Sequence, residues 1–141
     1  MFKFALKCKI DYLNTELDTF INIFHKWIQE DKIPNHTMVD VADYKHIVDG
    51  PGIMLIAHEG YFSLDSEDGE LGLLYMRKTP LGNDISKNIL KIQQILNFAI
   101  ELLKLEFNSS EKILFSQNYT LISNDRYAFP NSKNGKNELF Q

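Results

Sequence analysis

The stretch IMLIAHEGYFSLDSEDGELGLLYMRK, Ile53 to Lys78, decides the fold. Ile53-Met54-Leu55-Ile56-Ala57 is apolar at every position, so an extended chain here carries apolar side chains on both faces, as a covered central strand does. The same strand is expected to continue through Tyr61, Phe62 and Leu64. Asp65-Ser66-Glu67-Asp68-Gly69 is a loop of turn-forming residues. Leu71 to Arg77 then returns as the partner strand. Strands joined by so short a loop run antiparallel, and that sets the class of the whole sheet.

Upstream, Gly50-Pro51-Gly52 is a turn, because proline fixes φ and the glycines supply conformations other residues resist. Before it, Met38 to Tyr44 reads as a strand, β-branched at Val39 and Val41, with Asp40 and Asp43 giving it polar positions. The N-terminal stretch alternates Phe2, Phe4, Leu6, Cys8, Ile10 against Lys3, Ala5, Lys7, Lys9, a period of two that predicts a half-buried strand. Thr15, with an acid three residues on at Asp18, predicts a helix start. Leu17, Phe20, Ile21, Phe24 and Ile28 follow on one helical face, flanked by Ile23 and Trp27, and Pro34 closes the segment.

Downstream, Pro80-Leu81-Gly82-Asn83-Asp84 breaks the strand and supplies a cap. Ile85, Ile89, Ile92, Leu96, Ala99 and Leu103 form a second helical stripe. Phe98, Leu102 and Leu105 thicken it, which predicts burial on two sides towards its C-terminal end. Asn108-Ser109-Ser110 is a loop, and Lys112 to Phe115 with Tyr119 to Ser123 make two strands or one bent strand. The expected architecture is α+β: a mostly antiparallel sheet of about five to six strands with two long helices on one face, in the order β-α-β-β-β-α-β(β). This is close to a split-βαβ or duplicated βαββ arrangement. Residues 1–130 are expected to form one domain and 131–141, rich in Asn, Lys and Gly, an irregular tail.

The 141 residues carry 15 Lys+Arg against 19 Asp+Glu, a formal charge of −4. That balance lacks the basic excess of a dedicated nucleic-acid binder. The chain's richness in Leu, Ile, Val and Phe excludes global disorder. Lysine at every second N-terminal position is incompatible with a secretory signal, and no apolar run approaches the ~20 residues that span a bilayer, so a cytoplasmic protein without a membrane partner is expected. A single cysteine, Cys8, forms no internal disulfide, and its place on the apolar face of the first strand predicts a buried, inert thiol.

Polar side chains within apolar strands are the informative positions, since burying one without a partner costs about 1–3 kcal/mol. Three clusters qualify: Asp40, Asp43, Tyr44 and His46; His58 and Glu59; Tyr75 and Arg77, followed by Lys78. Asp40, His46 and His58 offer oxygen and imidazole donors suited to a divalent metal, but no close His pair accompanies them. His58 and Glu59, as neighbours on a strand, point to opposite faces. A lone histidine among aromatic residues, His25 beside Phe24 and Trp27 or His58 near Phe62, could serve as a haem ligand, though no attachment motif is present. No Gly-x-Ser-x-Gly elbow occurs, the acidic loop at Asp65 departs from calcium-loop spacing, and a strand rather than a helix follows Gly50-Pro51-Gly52, which removes the phosphate-cradle reading.

Phe24-His25-Lys26-Trp27-Ile28-Gln29, Asp40-Val41-Ala42-Asp43-Tyr44-Lys45-His46, Gly50-Pro51-Gly52 with Leu55, His58 and Glu59, and Gly72-Leu73-Leu74-Tyr75-Met76-Arg77-Lys78 together resemble an uncharacterised family of short bacterial proteins, cyanobacterial ones included. Asn124-Asp125-Arg126 with Pro130-Asn131 resembles that family's closing segment. The resemblance implies one complete domain and no mechanism. The coarse topology is also similar to haem-binding and effector-binding βαββ modules.

These readings converge on one expected site of Asp40, Asp43, Tyr44, His46, His58, Glu59, Tyr75 and Arg77. The leading expectation is a small-ligand-binding domain with aromatic walls from Tyr44, Tyr61 and Tyr75, preferring an anionic ligand because Arg77 and Lys78 close a strand. The alternatives are a haem- or metal-binding protein, an acid–base enzyme using His58 or His46, and an assembly partner or homo-oligomer joined through the sheet edge or open face.

Overall fold

A computed structural model of the chain describes residues 4–47, 50–67, 69–79, 82–107 and 113–123. Its elements in chain order are β1 (Phe4–Leu13), α1 (Asp18–Glu30), β2 (Met38–Tyr44), β3 (Gly52–Ala57), β4 (Gly60–Asp65), β5 (Gly72–Arg77), α2 (Ile85–Phe107) and β6 (Ile113–Ser123). Among the described residues the strands form one sheet in the order β2-β3-β4-β5-β1-β6, with every neighbouring pair antiparallel. The fold is α+β. The expected loop at Asn108-Ser109-Ser110, the residues Pro80-Leu81, and the tail from Asn124 onward, including its expected irregular end at 131–141, lie outside the described residues.

The expected strand from Ile53 through Leu64 is two strands, β3 and β4, folded back at His58-Glu59 so that Leu55 pairs with Phe62 and Ile56 with Tyr61. This hairpin lacks the Asn-Gly or Asp-Gly pair that marks such turns in sequence. It is held by partners distant in the chain instead. His58 N–H donates to the Thr37 carbonyl, and the N–H groups of Lys78 and Thr79 both donate to the Glu59 carbonyl.

The meander β2 to β5 is extended by β1 and then β6. β5 and β6 are thus parallel to each other with β1 between them, and α2 makes the crossover, a split βαβ unit. The other crossover, α1, carries the chain from β1 past three strands to the far edge at β2, so the two crossovers are not copies of one another.

Both helices lie on one face. The core beneath them takes Leu6, Cys8 and Ile10 from β1, Ile53 and Leu55 from β3, Phe62 and Leu64 from β4, Leu73 and Tyr75 from β5, and Ile113 and Leu121 from β6. In α1 the buried face is Phe20, Ile23, Phe24 and Trp27, rotated from the expected stripe; Ile21 and Ile28 only flank it. Thr15 does not cap this helix: its Oγ1 meets Thr19 Oγ1, and Leu17 stands at the cap position. Asp84 does cap α2, accepting from the Lys87 N–H at 3.1 Å. The C-terminal half of α2 is buried on one side only. Ile92, Leu96, Ala99, Ile100, Leu103 and Phe107 face the sheet, while Phe98 and Leu105 are exposed. The helices meet where Trp27 Nε1 donates to Glu106 Oε2 (3.2 Å), Lys26 pairs with Glu106 Oε1 (3.1 Å), and Phe20 and Phe107 pack edge to face.

The opposite face holds Ala5, Leu74 and Met76, with Tyr61 and Ile122 packed against them. The N-terminal alternation predicts a solvent-facing Lys7, yet this lysine is 3% exposed. Its ammonium donates to the Glu70 carbonyl (2.6 Å) and reaches Asp65 Oδ1 at 3.4 Å. Gly72 makes room for the stem, since a Cβ there would lie 2.7 Å from Lys7 Cε. A buried charge is tolerable only with such partners. No helix among the described residues is long and apolar enough to cross a membrane.

Candidate functional site

The site grows from the connection between α1 and β2. Asp31 ends α1 in the left-handed conformation (φ 51°), and Asn35 adopts it again (φ 60°). Asp and Asn are the side-chain-bearing residues that visit this region most readily. The two reversals bury Ile33 in the core and turn His36 inward against the rings of Phe62 and Tyr75.

His36 Nδ1 lies 2.8 Å from the Pro34 carbonyl and Nε2 lies 2.6 Å from the Tyr75 hydroxyl. A carbonyl only accepts, so Nδ1 carries hydrogen. Arg77 Nη1 donates to the same hydroxyl at 3.2 Å, and a phenolic hydrogen directed at Nε2 satisfies both partners. The Nδ1–H tautomer fits these partners, and both ring nitrogens are engaged within the fold. Burial pushes the Tyr75 hydroxyl above the ordinary phenol range, and the neighbouring Arg77 guanidinium partly offsets this. Gly60 faces the hydroxyl: a Cβ there would lie 2.8 Å from it and 2.4 Å from the Met76 carbonyl oxygen.

Arg77 ends β5 and donates its Nε–H to the Thr79 carbonyl (3.1 Å). Arg77 also lines a cleft of about 370 Å³. One wall is Ile33, Pro34, Asn35 and His36; the other is Lys91, Gln94, Ile95 and Phe98 of α2. Those four α2 residues recur at helical spacing and so share one face. Among the described residues, neither Arg77 nor Lys91 lies within 4.0 Å of a carboxylate. Glu59 is committed elsewhere: Oε1 accepts from the Thr37 N–H (2.7 Å) and Oε2 from the Thr37 hydroxyl (3.3 Å). The Thr37 backbone bond holds the Glu59 carboxyl below its ordinary range.

Of the eight residues expected together, the structure gathers Glu59, Tyr75 and Arg77 around His36. His58 sits exposed on the adjoining hairpin. Asp40, Asp43, Tyr44 and His46 lie on or just beyond the edge strand β2. Asp43 pairs with Ile53, five positions along β2 from Met38 and so roughly 17 Å from the hairpin end. There Lys45 bridges Asp43 (2.5 Å) and Asp18 (2.9 Å), and the side-chain and backbone bonds from Lys45 hold the Asp43 carboxyl low. Asp40 accepts from the Val41 N–H. Of the expected aromatic walls, Tyr75 backs the cleft through His36, Tyr44 is at the edge strand, and Tyr61 is on the helix-free face beneath Lys78. Among the described residues no three His, Cys, Asp or Glu side chains are grouped to hold a metal ion.

His36, Lys91, Gln94 and Phe98 escaped the sequence reading as site residues. Pro34-Asn35 is a turn signal directly before His36 and could have flagged it. Lys91 and Gln94 read only as the polar side of an amphipathic helix. No protein-family model matches the chain, and neither a curated protein nor a solved structure matches it, so the functional reading rests on the site's own geometry.

Proposed function

We propose that the protein is a small-ligand-binding domain whose ligand is an organic anion seated between the α1–β2 connection and α2. One observation carries this reading. Two cations without a carboxylate partner, Arg77 and Lys91, open onto one cleft whose other lining is largely apolar. Pockets for small molecules commonly combine apolar walls with a few fixed polar groups, and this cleft is within their size range. Arg77 is the anchor. Its guanidinium is braced by the Thr79 carbonyl and the Tyr75 hydroxyl, so little side-chain freedom is left to lose on binding. Lys91 is exposed and adds charge without fixed geometry.

The test is calorimetric titration with a panel of small carboxylates and phosphates on the wild type, Arg77→Gln and Lys91→Gln. A charge-assisted hydrogen bond is worth about 1.5–3 kcal/mol, so Arg77→Gln is expected to weaken binding roughly ten- to a hundredfold. Lys91→Gln should weaken it several-fold and reduce its dependence on salt. Binding that is equally strong in Arg77→Gln, or no binding by any anion of the panel, refutes the assignment.

A further inference from the structure

The cleft is polarised along α2, and that polarity points to a class of ligand. Its α2 wall begins with Lys91 and Gln94 and passes to Ile95 and Phe98. Seven residues at 1.5 Å each separate the lysine from the phenylalanine by about 10 Å. Phe98 is 42% exposed, a large apolar side chain that the sheet core does not use. Opposite it, Ile33 and Pro34 supply further apolar surface.

The available donors suit a carboxylate. Arg77 has committed Nε and one Nη1 hydrogen, so both Nη2 hydrogens and the second Nη1 hydrogen are left for a ligand. Two parallel donors match the two oxygens of one carboxylate. Arginine forms the same paired bonds with phosphate, but phosphate sites commonly add a helix N-terminus or a nest of backbone N–H groups. The cleft is lined from the seventh residue of α2 onward, past that terminus.

On the reading that this cleft binds an organic anion, we infer that its ligand is an amphipathic carboxylate. The headgroup is held by Arg77 within reach of Lys91 and Gln94, and an apolar body lies along Ile95 and Phe98. At about 30 Å³ per water-sized group, water's share of liquid volume, the cleft holds roughly a dozen such groups, the size of a medium-chain or aryl carboxylate.

The experiment is calorimetric titration of the full chain with n-alkanoates from acetate to dodecanoate, kept below their micelle-forming concentrations and at one ionic strength. Complete burial of a methylene is worth about fourfold in affinity, and an open cleft captures part of that, so each added methylene should tighten binding about two- to fourfold until roughly ten carbons. Phe98→Ala, at a half-exposed position that leaves the core intact, should weaken decanoate about tenfold and change acetate little. Arg77→Gln should weaken every member alike. Affinity independent of chain length, while short anions still bind through Arg77, overturns the amphipathic class and leaves the anion site standing. Decanoate binding unchanged in both variants overturns it as well, since that is detergent-like adsorption elsewhere on the surface. Failure of acetate, decanoate and inorganic phosphate alike removes both readings.

Discussion

Gly60→Ala tests the architecture that supports the cleft. The added Cβ would lie 2.4 Å from the Met76 carbonyl oxygen and 2.8 Å from the Tyr75 hydroxyl. The carbonyl is backbone of a residue paired with Ala5 on one side and Tyr61 on the other, so it has little room to swing aside and overpacking alone should cost about 1–3 kcal/mol. Relief at the second contact requires moving the Tyr75 hydroxyl off His36 Nε2. His36 is buried, and an orphaned buried acceptor costs about 1–3 kcal/mol more. Against these stands a gain of about 0.4–1 kcal/mol from the stiffer unfolded chain. The net expectation is a loss of about 3 kcal/mol, which lowers the urea midpoint by about 1–2 M for a domain of this size. Tyr75→Phe removes one of the two clashes. In a double-mutant cycle, Gly60→Ala should therefore cost at least about 1 kcal/mol less on the Tyr75→Phe background. A Gly60→Ala variant within about 0.5 kcal/mol of wild type, or a strictly additive double variant, refutes this packing of hydroxyl, imidazole and glycine.

Two further outcomes follow from the structure. Cys8 lies on the core side of β1, donates to the Ser116 carbonyl at 3.2 Å, and has its thiol pushed by burial from 9.0 up to about 11. The unfolded chain therefore ionises first as pH rises. Stability is fully present below pH 9 and falls by about 2–3 kcal/mol by pH 11, at 1.36 kcal/mol per pH unit. Cys8→Ala, compared by urea unfolding at pH 8, 9, 10 and 11, should show a shallower alkaline decline, and an unchanged slope would contradict the burial argument. Asp84→Ala removes the acceptor for the Lys87 N–H at the start of α2 and should cost about 1 kcal/mol by thermal or urea unfolding, whereas Asp84→Asn should cost much less. Equal losses in the two variants would show that charge rather than the cap bond matters.

What the sequence disclosed is what periodicity can carry. The alternation of β1, the long stripe of α2, the turn at Gly50-Pro51-Gly52 and the loop after Asp65 all reflect local patterning. Gly52 has φ +66°, and a Cβ there would lie 2.2 Å from the Leu64 carbonyl oxygen, so that glycine is fixed by both backbone conformation and contact. The break between β3 and β4 was hidden because its turn is stabilised by Thr37, Lys78 and Thr79, not by residues within it. Lys7 misled because sequence shows a charge but not its partner: Asp65 is 58 positions away. The site was half legible. Tyr75 and Arg77 stand out as polar groups in an apolar strand, but His36 acquires meaning only when folding brings it to Tyr75. Asp43 and His46 show the converse, polar positions that the fold carries to an exposed edge.

The interior position of β1 bears on how the molecule is made. This strand is synthesised before the other strands of its sheet, yet its neighbours come much later: Ala5 pairs with Met76 on one side and with Ile122 on the other. The meander from β2 to β5 can assemble as it emerges, while β1 waits with Leu6, Cys8 and Ile10 uncovered. Such distant pairings slow folding relative to domains built from local contacts. Once β5 is out, β1 can dock, and it remains a bare sheet edge until β6 arrives. In that interval β1 presents an unpaired edge of the kind through which chains pair with one another. Every lining residue of the cleft falls between Ile33 and Phe98, so its walls are synthesised before the last strand of the sheet.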